Sequence, residues 1–409
     1  MNKYNSYKPS GIDWIGDIPE HWILSRIGRH YFLERGRVIS KEEIIDNQGE
    51  YPVYSSQTEN NGVLGSINTF DFEGEYVTWT TDGANAGTCF HRTGKFNTTN
   101  VCGLLSNKEN GYSNLKYLNY LLNLGTKGYV RLDINPKLMN NMMGDIPVIF
   151  PSIFEQNQIV IFLDEKTEII DKLISTKEKK IELLKEQRTS LINQVITKGL
   201  DPNVKMKDSG IEWIGEIPEH WETRKLKSVS DYITEKGIPS SSDVRISPEN
   251  VEQGTGVCLN LYSEYDNEGF KFQRGDILFN KLRVYLSKVI LTSYEGYSMG
   301  EMIVVRPRKI NNQFLFHIML SYGFINSCNS FNIGVKLPRV SPEVIFNSVV
   351  PIPPIKEQNR IVEIINENFQ ETSNIISLEK RKIDLLKEYR QSLISEVVTG
   401  KIDVRNNVN

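Results

Sequence analysis

The chain has 409 residues, of which 39% are hydrophobic and 24% are charged, and its formal net charge at pH 7 is −3. This composition argues against a disordered protein, and the length suggests two to four globular domains. The near-neutral charge counts against a strongly basic nucleic-acid-binding chain, and no run approaches the ~18 apolar residues of a membrane span.

The start of the chain and its cysteines bear on where the protein works. The first residues, MNKYNSYKPSGIDW, contain no apolar stretch of the kind found in signal peptides. The four cysteines show no CxxC or CxxH spacing, so neither a zinc site nor a disulfide framework is expected. We therefore predict a cytoplasmic protein with buried, reduced thiols, namely Cys89, Cys102, Cys258 and Cys328.

The first recognisable element is a Trp-rich segment at residues 10–22, SGIDWIGDIPEHW. It recurs at residues 209–221 as SGIEWIGEIPEHW, with two Asp residues replaced by Glu and every other position identical. A repeat at half the chain length indicates two copies of one unit. We expect the Glu-His-Trp end of each copy to have a packing role rather than a chemical one.

The block that follows, residues 23–150, is predicted to be rich in strands. Runs of β-branched and aromatic residues, such as 75–80, alternate with Gly, Asn and Asp turns. Its loops are rich in amides and hydroxyls, and Asn or Gln can bind the edge of adenine while Arg can read guanine. Ordinary turns use the same residues, and composition alone favours that interpretation. The candidate DNA-binding residues are Tyr54, Ser56, Gln57, Asn60, Thr80, Asn85, Arg92 and Asn100.

Residues 151–201 have the heptad pattern of a coiled-coil helix. Ser152 and Glu155 have the spacing of a capping box at the start of this helix, and Gly199 marks its end. At 1.5 Å per residue, a helix from Glu155 to Lys198 is roughly 65 Å long. Basic residues interrupt the apolar seam, and such polar positions usually fix register and partner. The predicted seam residues are Ile174, Ile181, Leu184, Leu191 and Val195.

Residues 202–352 contain the second Trp-rich segment and a second strand-rich block. Neither block is strongly basic: residues 23–150 carry 12 Lys and Arg against 13 Asp and Glu, and residues 222–352 carry 15 against 13. The two blocks show no visible sequence alignment. Two short basic loops in the second block suit contact with DNA, although solvated surface charges would look the same. The candidates are Asn280, Lys281, Arg283, Tyr285, Lys336 and Arg339.

The last segment, residues 353–409, repeats the helix. Residues 353–403 match residues 151–201 at 23 of 51 positions without a gap. The helices are predicted to pair with each other in antiparallel fashion, because a parallel pair would crowd both blocks at one end. The alternative is that each helix packs on its own block as ordinary core. The second set of predicted seam residues is Ile376, Ile383, Leu386, Leu393 and Val397.

Several motifs of catalysis are absent from the sequence. There is no GxxxxGK[ST] phosphate loop, no GxGxxG after a strand, and no GxSxG. The five histidines have no partners at metal-ligand spacing. The sequence leaves open whether the fold brings a Ser, a His and an Asp together as a catalytic triad. We therefore expect no catalytic residues, no cofactor and no metal, and we interpret the chain as a two-headed binding scaffold.

The order of these parts resembles the specificity subunits of type I restriction-modification enzymes. The resemblance covers nearly the whole chain and depends on the two Trp-rich segments, the Pro-x-Ile-x-Glu-Gln-Asn start of each helix and the Lys-Gly-Leu-Asp exit at 198–201. Features of the blocks contribute too: TyrProValTyr at 51–54, AspGlyAlaAsnAlaGly at 82–87, ArgGlyAspIleLeuPhe at 274–279 and MetGlyGlu at 299–301.

The resemblance implies an α+β fold with two strand-rich, mixed α/β target-recognition domains separated by two long helices in an antiparallel coiled coil. The expected segments are residues 1–150, 151–201, 202–352 and 353–409, with a pseudo-two-fold internal repeat. Each recognition domain would read one half of a bipartite, asymmetric target on double-stranded DNA. Two methyltransferase subunits would dock on the scaffold, and restriction and translocase subunits would join through them. The alternatives are a stand-alone DNA-binding regulator and a two-domain soluble enzyme tethered by a coiled coil.

Overall fold

The computed structural model describes residues 2–109, 111–132, 135–265, 267–331 and 338–405. The chain divides into two compact units, Met1–Lys177 with Arg381–Asn409 (unit 1) and Glu178–Lys380 (unit 2). Each unit therefore combines one strand-rich block with parts of both long helices, whereas the segments predicted from the sequence follow chain order. No helix in the described ranges is both long and apolar enough to cross a membrane.

Unit 1 opens with short strands and helices that precede the first long helix. The strands are β1 (Tyr7–Pro9), β2 (Asp17–Pro19), β3 (Ile23–Arg26), β4 (Tyr31–Arg35), β5 (Gln48–Tyr54), β6 (Val63–Ile67), β7 (Phe72–Thr80), β8 (Cys89–Thr98), β9 (Cys102–Asn107) and β10 (Pro147–Phe150). The helices are α1 (Ile27–His30), α2 (Lys41–Asp46), α3 (Leu115–Gly125) and α4 (Asn140–Asp145), with 3₁₀ turns at Glu59–Gly62 and Thr126–Tyr129.

The core of unit 1 is a six-stranded sheet in the order β4-β9-β7-β8-β5-β6. Its pairings are antiparallel except for β5 with β8, which is parallel. The predicted strand at 75–80 lies within β7 and contributes Val77 and Trp79, both fully buried. Helix α3 covers β7 and β8 with buried Leu118, Leu121 and Leu122. Apolar residues on one face of helix and sheet thus form one core.

The first long helix, α5, spans Ile153–Lys198, and unit 2 continues with a second set of short elements. The strands are β11 (Met206–Asp208), β12 (Glu216–Pro218), β13 (Glu222–Lys225), β14 (Ser230–Ile233), β15 (Lys236–Gly237), β16 (Arg245–Ile246), β17 (Gly269–Phe272), β18 (Ile277–Asn280), β19 (Val289–Leu291), β20 (Gly296–Ser298), β21 (Met302–Pro307) and β22 (Val349–Ile352). The helices are α6 (Asn312–Leu320), α7 (Tyr322–Asn329) and α8 (Pro342–Asn347), with 3₁₀ turns at Leu226–Ser228, Pro248–Asn250 and Val284–Leu286.

The block of unit 2 is built on two four-stranded sheets, β14-β21-β18-β19 and β15-β17-β20-β16. In each unit, the strand after the Trp-rich segment pairs with the strand before a long helix: β3 with β10, and β13 with β22. These pairings close each block, so that the chain enters and leaves it side by side.

The second long helix, α9, spans Ile355–Val398 and pairs with α5. Within unit 2, Lys180 contacts Glu379 and Arg188 stacks on Phe369, so residue numbers rise along α5 as they fall along α9. Within unit 1, Arg390 forms a bidentate ion pair with Asp171. The predicted fold class, with two strand-rich domains and an antiparallel pair of long helices, is confirmed.

The helix seam combines apolar and polar side chains. Thr372 and Glu379, which interrupt the heptads of α9, are both buried. Of the predicted seam residues, those that are buried are Ile174, Ile181, Val195, Ile383, Leu393 and Val397. Those that are partly exposed are Leu184, Leu191, Ile376 and Leu386. Apolar side chains at the edge of a two-helix seam keep one side in solvent, and Leu191 also packs against the core of unit 2.

In unit 1, the recurring sequence motifs contact one another at the start of α5. The Nε2 atom of His21 lies 3.0 Å from a carboxylate oxygen of Glu155. The side chain of Gln156 accepts the backbone N–H of Asn114 at 2.8 Å, and Asn157 accepts the Asn114 side-chain amide at 2.8 Å. Asn114 is also the N-cap of α3. The Glu-Gln-Asn motif therefore connects the Trp-rich segment, the long helix and the covering helix.

Unit 2 repeats this arrangement at the start of α9. His220 Nε2 lies 2.9 Å from Glu357, Gln358 accepts the backbone N–H of Asn311 at 2.8 Å, and Asn359 accepts its side-chain amide at 2.9 Å. The expected packing role of the Glu-His-Trp end is thus extended by a hydrogen-bonding contact between histidine and a carboxylate. The repeated residues recur together because they form one junction, and two junctions require two copies.

Candidate nucleic-acid interface

Polar loops of the first block lie together in unit 1. The side-chain amide of Asn85 donates to the hydroxyl of Thr58 at 3.3 Å. The hydroxyl of Thr99 donates to that of Ser55 at 3.2 Å. Loop residues separated by up to 44 positions in sequence therefore form one surface, and the pairing of β5 with β8 brings two of these loops together. We call this surface the first polar face; its loops are residues 54–62, 80–88 and 97–100.

Two adjacent amides project from the loop between β5 and β6. Asn60 and Asn61 are exposed and have φ angles of +47° and +53°. Asn is among the side chains that tolerate this left-handed region best. Sequence reasoning selected Asn60 but missed Asn61, although the Asn-Asn-Gly run at 60–62 is a turn signal that includes both. The two side-chain amides each present a hydrogen-bond donor group and an acceptor at the tip of the loop.

Arg92 supports this loop from inside the sheet. Its guanidinium lies 3.6 Å from the ring centroid of Tyr54 and 4.4 Å from that of Phe90. It donates to the carbonyl of Asn61 at 2.8 Å and to the hydroxyl of Thr78 at 3.3 Å. Burial lowers the pKa of this guanidinium. Arg92 was predicted to contact DNA; only 3% of its surface is exposed, and its guanidinium holds the backbone of the Asn60–Asn61 turn.

Positive charge on the first polar face gathers around Asp82. The Asp82 carboxylate lies 3.7 Å from Arg35 and 3.7 Å from Lys137. The backbone N–H of Gly83 donates to the carbonyl of Pro136 at 3.0 Å, which attaches the chain before α4 to the loop after β7. The two cations lie far apart in sequence, so no local pattern marked them as neighbours.

The two basic loops predicted in the second block also meet. Residues 282 and 339 form an antiparallel bridge. The carboxylate of Glu301 lies 3.3 Å from Lys281 and 2.5 Å from Arg339. Arg283 and Tyr285 are exposed on the same turn. We call this surface the second polar face; its segments are residues 280–288, 299–301 and 338–340.

The two polar faces share one backbone frame that the sequences conceal. The strand registers match at an offset of 200 residues: Thr80 is paired with Cys102, and Asn280 with Met302. Four backbone hydrogen bonds match as well. Each bond is given with the residue of the donating N–H first and the residue of the accepting carbonyl second, and each bond of the first face is followed by its equivalent in the second face. They are Thr80–Thr88 and Asn280–Lys288, Thr81–Val101 and Lys281–Glu301, Gly83–Pro136 and Arg283–Pro338, and Leu138–Thr81 and Val340–Lys281. The frame is the same, and the side chains it presents differ.

The predicted DNA-binding residues differ in exposure. The exposed ones are Asn60, Asn85, Asn100, Arg283, Tyr285 and Arg339, and the half-buried ones are Tyr54, Ser56, Gln57 and Lys281. Thr80, Arg92 and Asn280 are buried, so their predicted contact with DNA stays a prediction without an exposed side chain to support it. The Asn280 side chain closes its own turn on the backbone of Leu282, and the Thr80 hydroxyl donates to the carbonyl of Asn85. Lys336 lies outside the described residues.

Within the described ranges, no group of three or more His, Cys, Asp or Glu residues is arranged to hold a metal ion. The polar faces instead combine amides, hydroxyls, an aromatic ring and partly neutralised cations. Such groups can donate and accept hydrogen bonds at base edges and phosphates. Chemically, both faces suit recognition.

Comparison with known proteins gives one consistent family. The type I restriction modification DNA specificity domain matches residues 19–183 and 218–388. The MjaVIII type I restriction enzyme specificity subunit of Methanocaldococcus jannaschii is 26% identical over 439 aligned residues, which cover 95% of each chain. The MpnII specificity subunit of Mycoplasma pneumoniae is 40% identical over 156 residues, 38% of this chain and 47% of that one. Another M. pneumoniae protein is 45% identical over 159 residues. The matched part spans only 41% of that relative's length.

Solved structures share the fold. The HsdS subunit of Thermoanaerobacter tengcongensis has a TM-score of 0.53 and 13% identity, with 94% of this chain and 98% of that chain covered. A chain from a study of complex assembly and conformational transition of the type I restriction-modification system has a TM-score of 0.69 and 13% identity, with 94% and 99% covered. At these identities, the similarity concerns the fold alone.

Proposed function

This chain belongs to the type I restriction-modification DNA specificity family, and from that membership we propose that it is a non-catalytic specificity subunit in which each polar face reads one half of a bipartite DNA target. One observation carries the proposal: the two faces have the same backbone frame and different exposed side chains. A shared frame suits docking on a shared ligand, and different side chains suit different sequences on it.

The composition of the faces supports an asymmetric target. The first face is dominated by amides, which can form bidentate contacts with adenine. The second face combines Arg283, Tyr285 and Arg339, and arginine is suited to guanine. Two polar faces with different side chains imply two half-sites with different sequences.

The paired helices are proposed to set the spacer between the half-sites. Two long helices with a mixed polar and apolar seam form a stiff connection, and buried polar residues such as Glu379 hold a single register. A fixed register gives a fixed separation, which is what a bipartite site with a constant spacer requires.

The start of α5 offers a docking surface for methyltransferase subunits. Phe154, Ile161, Ile169 and Leu173 are 65%, 49%, 47% and 46% exposed. Their spacing of seven, eight and four residues places them on one side of the helix, away from the seam. We propose two methyltransferase subunits on the scaffold, with restriction and translocase subunits joining through the complex.

The charge of the chain supports this division of labour. A net charge of −3 provides little attraction for phosphates, so partner subunits are expected to supply much of the DNA affinity. A DNA target and free cysteines agree with a cytoplasmic location.

The test is an exchange of the first block. A complex of this chain with its methyltransferase subunits is expressed, and its methylated motif is mapped by methylome sequencing. Exchanging residues 23–150 for the block of a relative is expected to change one half-site and leave the other intact. If both halves change, or if neither does, the two-reader proposal fails.

A further inference from the structure

The turn between β18 and β19 in the second polar face differs at two positions from the equivalent turn between β7 and β8 in the first polar face. In the first face, the positive φ angles of the turn, +90° and +84°, belong to Gly83 and Gly87. In the second face, the same positions are Arg283 and Ser287, with φ angles of +50° and +49°. Glycine adopts left-handed backbone freely, whereas a residue with a Cβ is disfavoured there. The second polar face therefore carries side chains at two positions, Arg283 and Ser287, where the left-handed backbone favours glycine.

Among the residues that the structure describes, no contact of the Arg283 side chain accounts for this strain. Lys281 and Arg339 both form ion pairs with Glu301. The backbone N–H of Arg283 donates to Pro338 at 2.8 Å, as that of Gly83 does to Pro136. Its guanidinium is exposed and has no hydrogen-bond or ion-pair partner in the described part of the chain. Strain that persists without an internal contact to compensate it points to a role toward a ligand.

We propose that Arg283 is a specificity-determining residue that reads a guanine in the second half of the DNA target, an inference that rests on the proposed function. The planar guanidinium can donate two parallel hydrogen bonds to O6 and N7 of guanine. The left-handed backbone holds Arg283 at the exposed edge of its turn, beside exposed Tyr285. Glu301 already forms ion pairs with the two neighbouring cations, whereas Arg283 remains available for the base.

A phosphate contact would use the same guanidinium but would have a different consequence. Loss of a phosphate contact weakens binding to every sequence about equally, whereas loss of a base contact relaxes one position. The distinction can be measured, because a methylome reports each position of the motif separately.

The experiment compares Arg283→Gly with the wild-type chain in the methyltransferase complex. The variant is expected to melt at the same temperature or about 2 °C higher, because glycine relieves the left-handed strain. Discrimination at one guanine of the second half-site is expected to fall about tenfold, while the first half-site stays unchanged. The half-site read by each face is assigned from the exchange of residues 23–150.

Ser287→Gly is the matched control. It relieves the same kind of backbone strain four residues away and keeps Arg283, so the motif is expected to stay as in the wild type. A lower melting temperature for Arg283→Gly, uniform weakening across sequences, or an unchanged motif would each overturn the inference. If the wild-type complex methylates no bipartite motif, the proposed function itself fails, whatever the variants do.

Discussion

The Nζ atom of Lys180 lies 2.9 Å from a carboxylate oxygen of Glu379, whose side chain is only 6% exposed in the helix seam. A carboxylate in that position needs compensation, because burial of an unpaired charge is strongly unfavourable. The lysine is about half exposed, so solvent screens the pair and limits its contribution.

We expect Lys180→Ala to lower the free energy of unfolding by about 1 kcal/mol, since it removes one compensating charge from a nearly buried carboxylate. Replacing both residues, as Lys180→Ala with Glu379→Leu, is expected to restore or raise stability by filling the seam with an apolar side chain. Urea denaturation monitored by circular dichroism measures both. Lys172→Ala is the control, because Lys172 and Glu168 form an exposed i,i+4 pair. Equal effects of Lys180→Ala and Lys172→Ala would contradict the argument.

The long helices could be predicted from the sequence because their signals are local. Heptad spacing, Ser152 at the start and Gly199 at the end fixed α5 to within a few residues, and the backbone N–H of Glu155 does donate to the Ser152 hydroxyl at 3.3 Å. The other half of the capping box differs. The Glu155 carboxylate accepts from Ser152 and contacts His21, a partner 134 residues away that no local pattern could indicate.

The shared frame of the two faces could not be predicted, because it consists of main-chain hydrogen bonds that many sequences satisfy. Residue type alone also could not predict which of the candidate DNA-binding residues are exposed. Thr80 and Asn280 end the equivalent strands β7 and β18, whose last four residues are all buried, and Arg92 lies within β8. The packing of other elements on the sheet, rather than residue type, determined that these three are buried.

Arg92 is expected to control recognition by the first face without touching DNA. Arg92→Lys keeps the charge but loses the planar stacking on Tyr54 and one of the donors, so the Asn60–Asn61 turn should loosen. We expect a loss of about 1–3 kcal/mol in stability and relaxed discrimination in the first half-site only. Hydrogen exchange of residues 55–63 and methylome sequencing provide the two measurements.

Lys95→Gln is the comparison for this variant, since Lys95 lies on the same strand but is exposed over the ring of Phe70. We expect Lys95→Gln to leave both the hydrogen exchange of residues 55–63 and the methylated DNA motif as in the wild type. An unchanged first half-site in Arg92→Lys would show that the turn does not depend on the buried guanidinium.

The cysteines should differ sharply in reactivity. Burial raises the pKa of Cys102 to about 11 and of Cys328 to about 12, and it raises the pKa of Cys89 further. Below these values the thiols stay protonated and unreactive. Cys258 is only partly buried, although its pKa is also raised. At pH 8 we expect one thiol per native chain to react with a disulfide reagent, and all four after denaturation. Cys258→Ser should remove the native reaction; a second reactive native thiol would contradict the burial.

Asn2 and Asp403, near the two ends of the chain, lie in contact with each other. The backbone N–H of Asp403 donates to the carbonyl of Asn2 at 2.8 Å, and Lys401 donates to the carbonyl of Ile15 at 3.2 Å. A chain with linked ends, opened between Asn203 and Val204 near Met206, should therefore fold with a similar circular dichroism spectrum. Opening after Leu278, inside β18, should yield insoluble protein. Equal outcomes for the two permutants would argue against this prediction.

The helix pair is expected to measure the spacer of the DNA target. Because Lys180 pairs with Glu379, the insertion must be matched: four residues after Lys180 and four after Leu378 keep the two helices aligned. Four residues lengthen a helix by roughly 6 Å and nearly restore its rotational phase. At about 3.4 Å per base pair, this predicts a methylated motif with one or two more base pairs in the spacer and unchanged half-sites. Matched insertions of two residues rotate each helix by more than half a turn, which exposes the seam, and they should abolish methylation. A spacer that stays constant in the four-residue variant would show that the helices connect the readers without setting their distance.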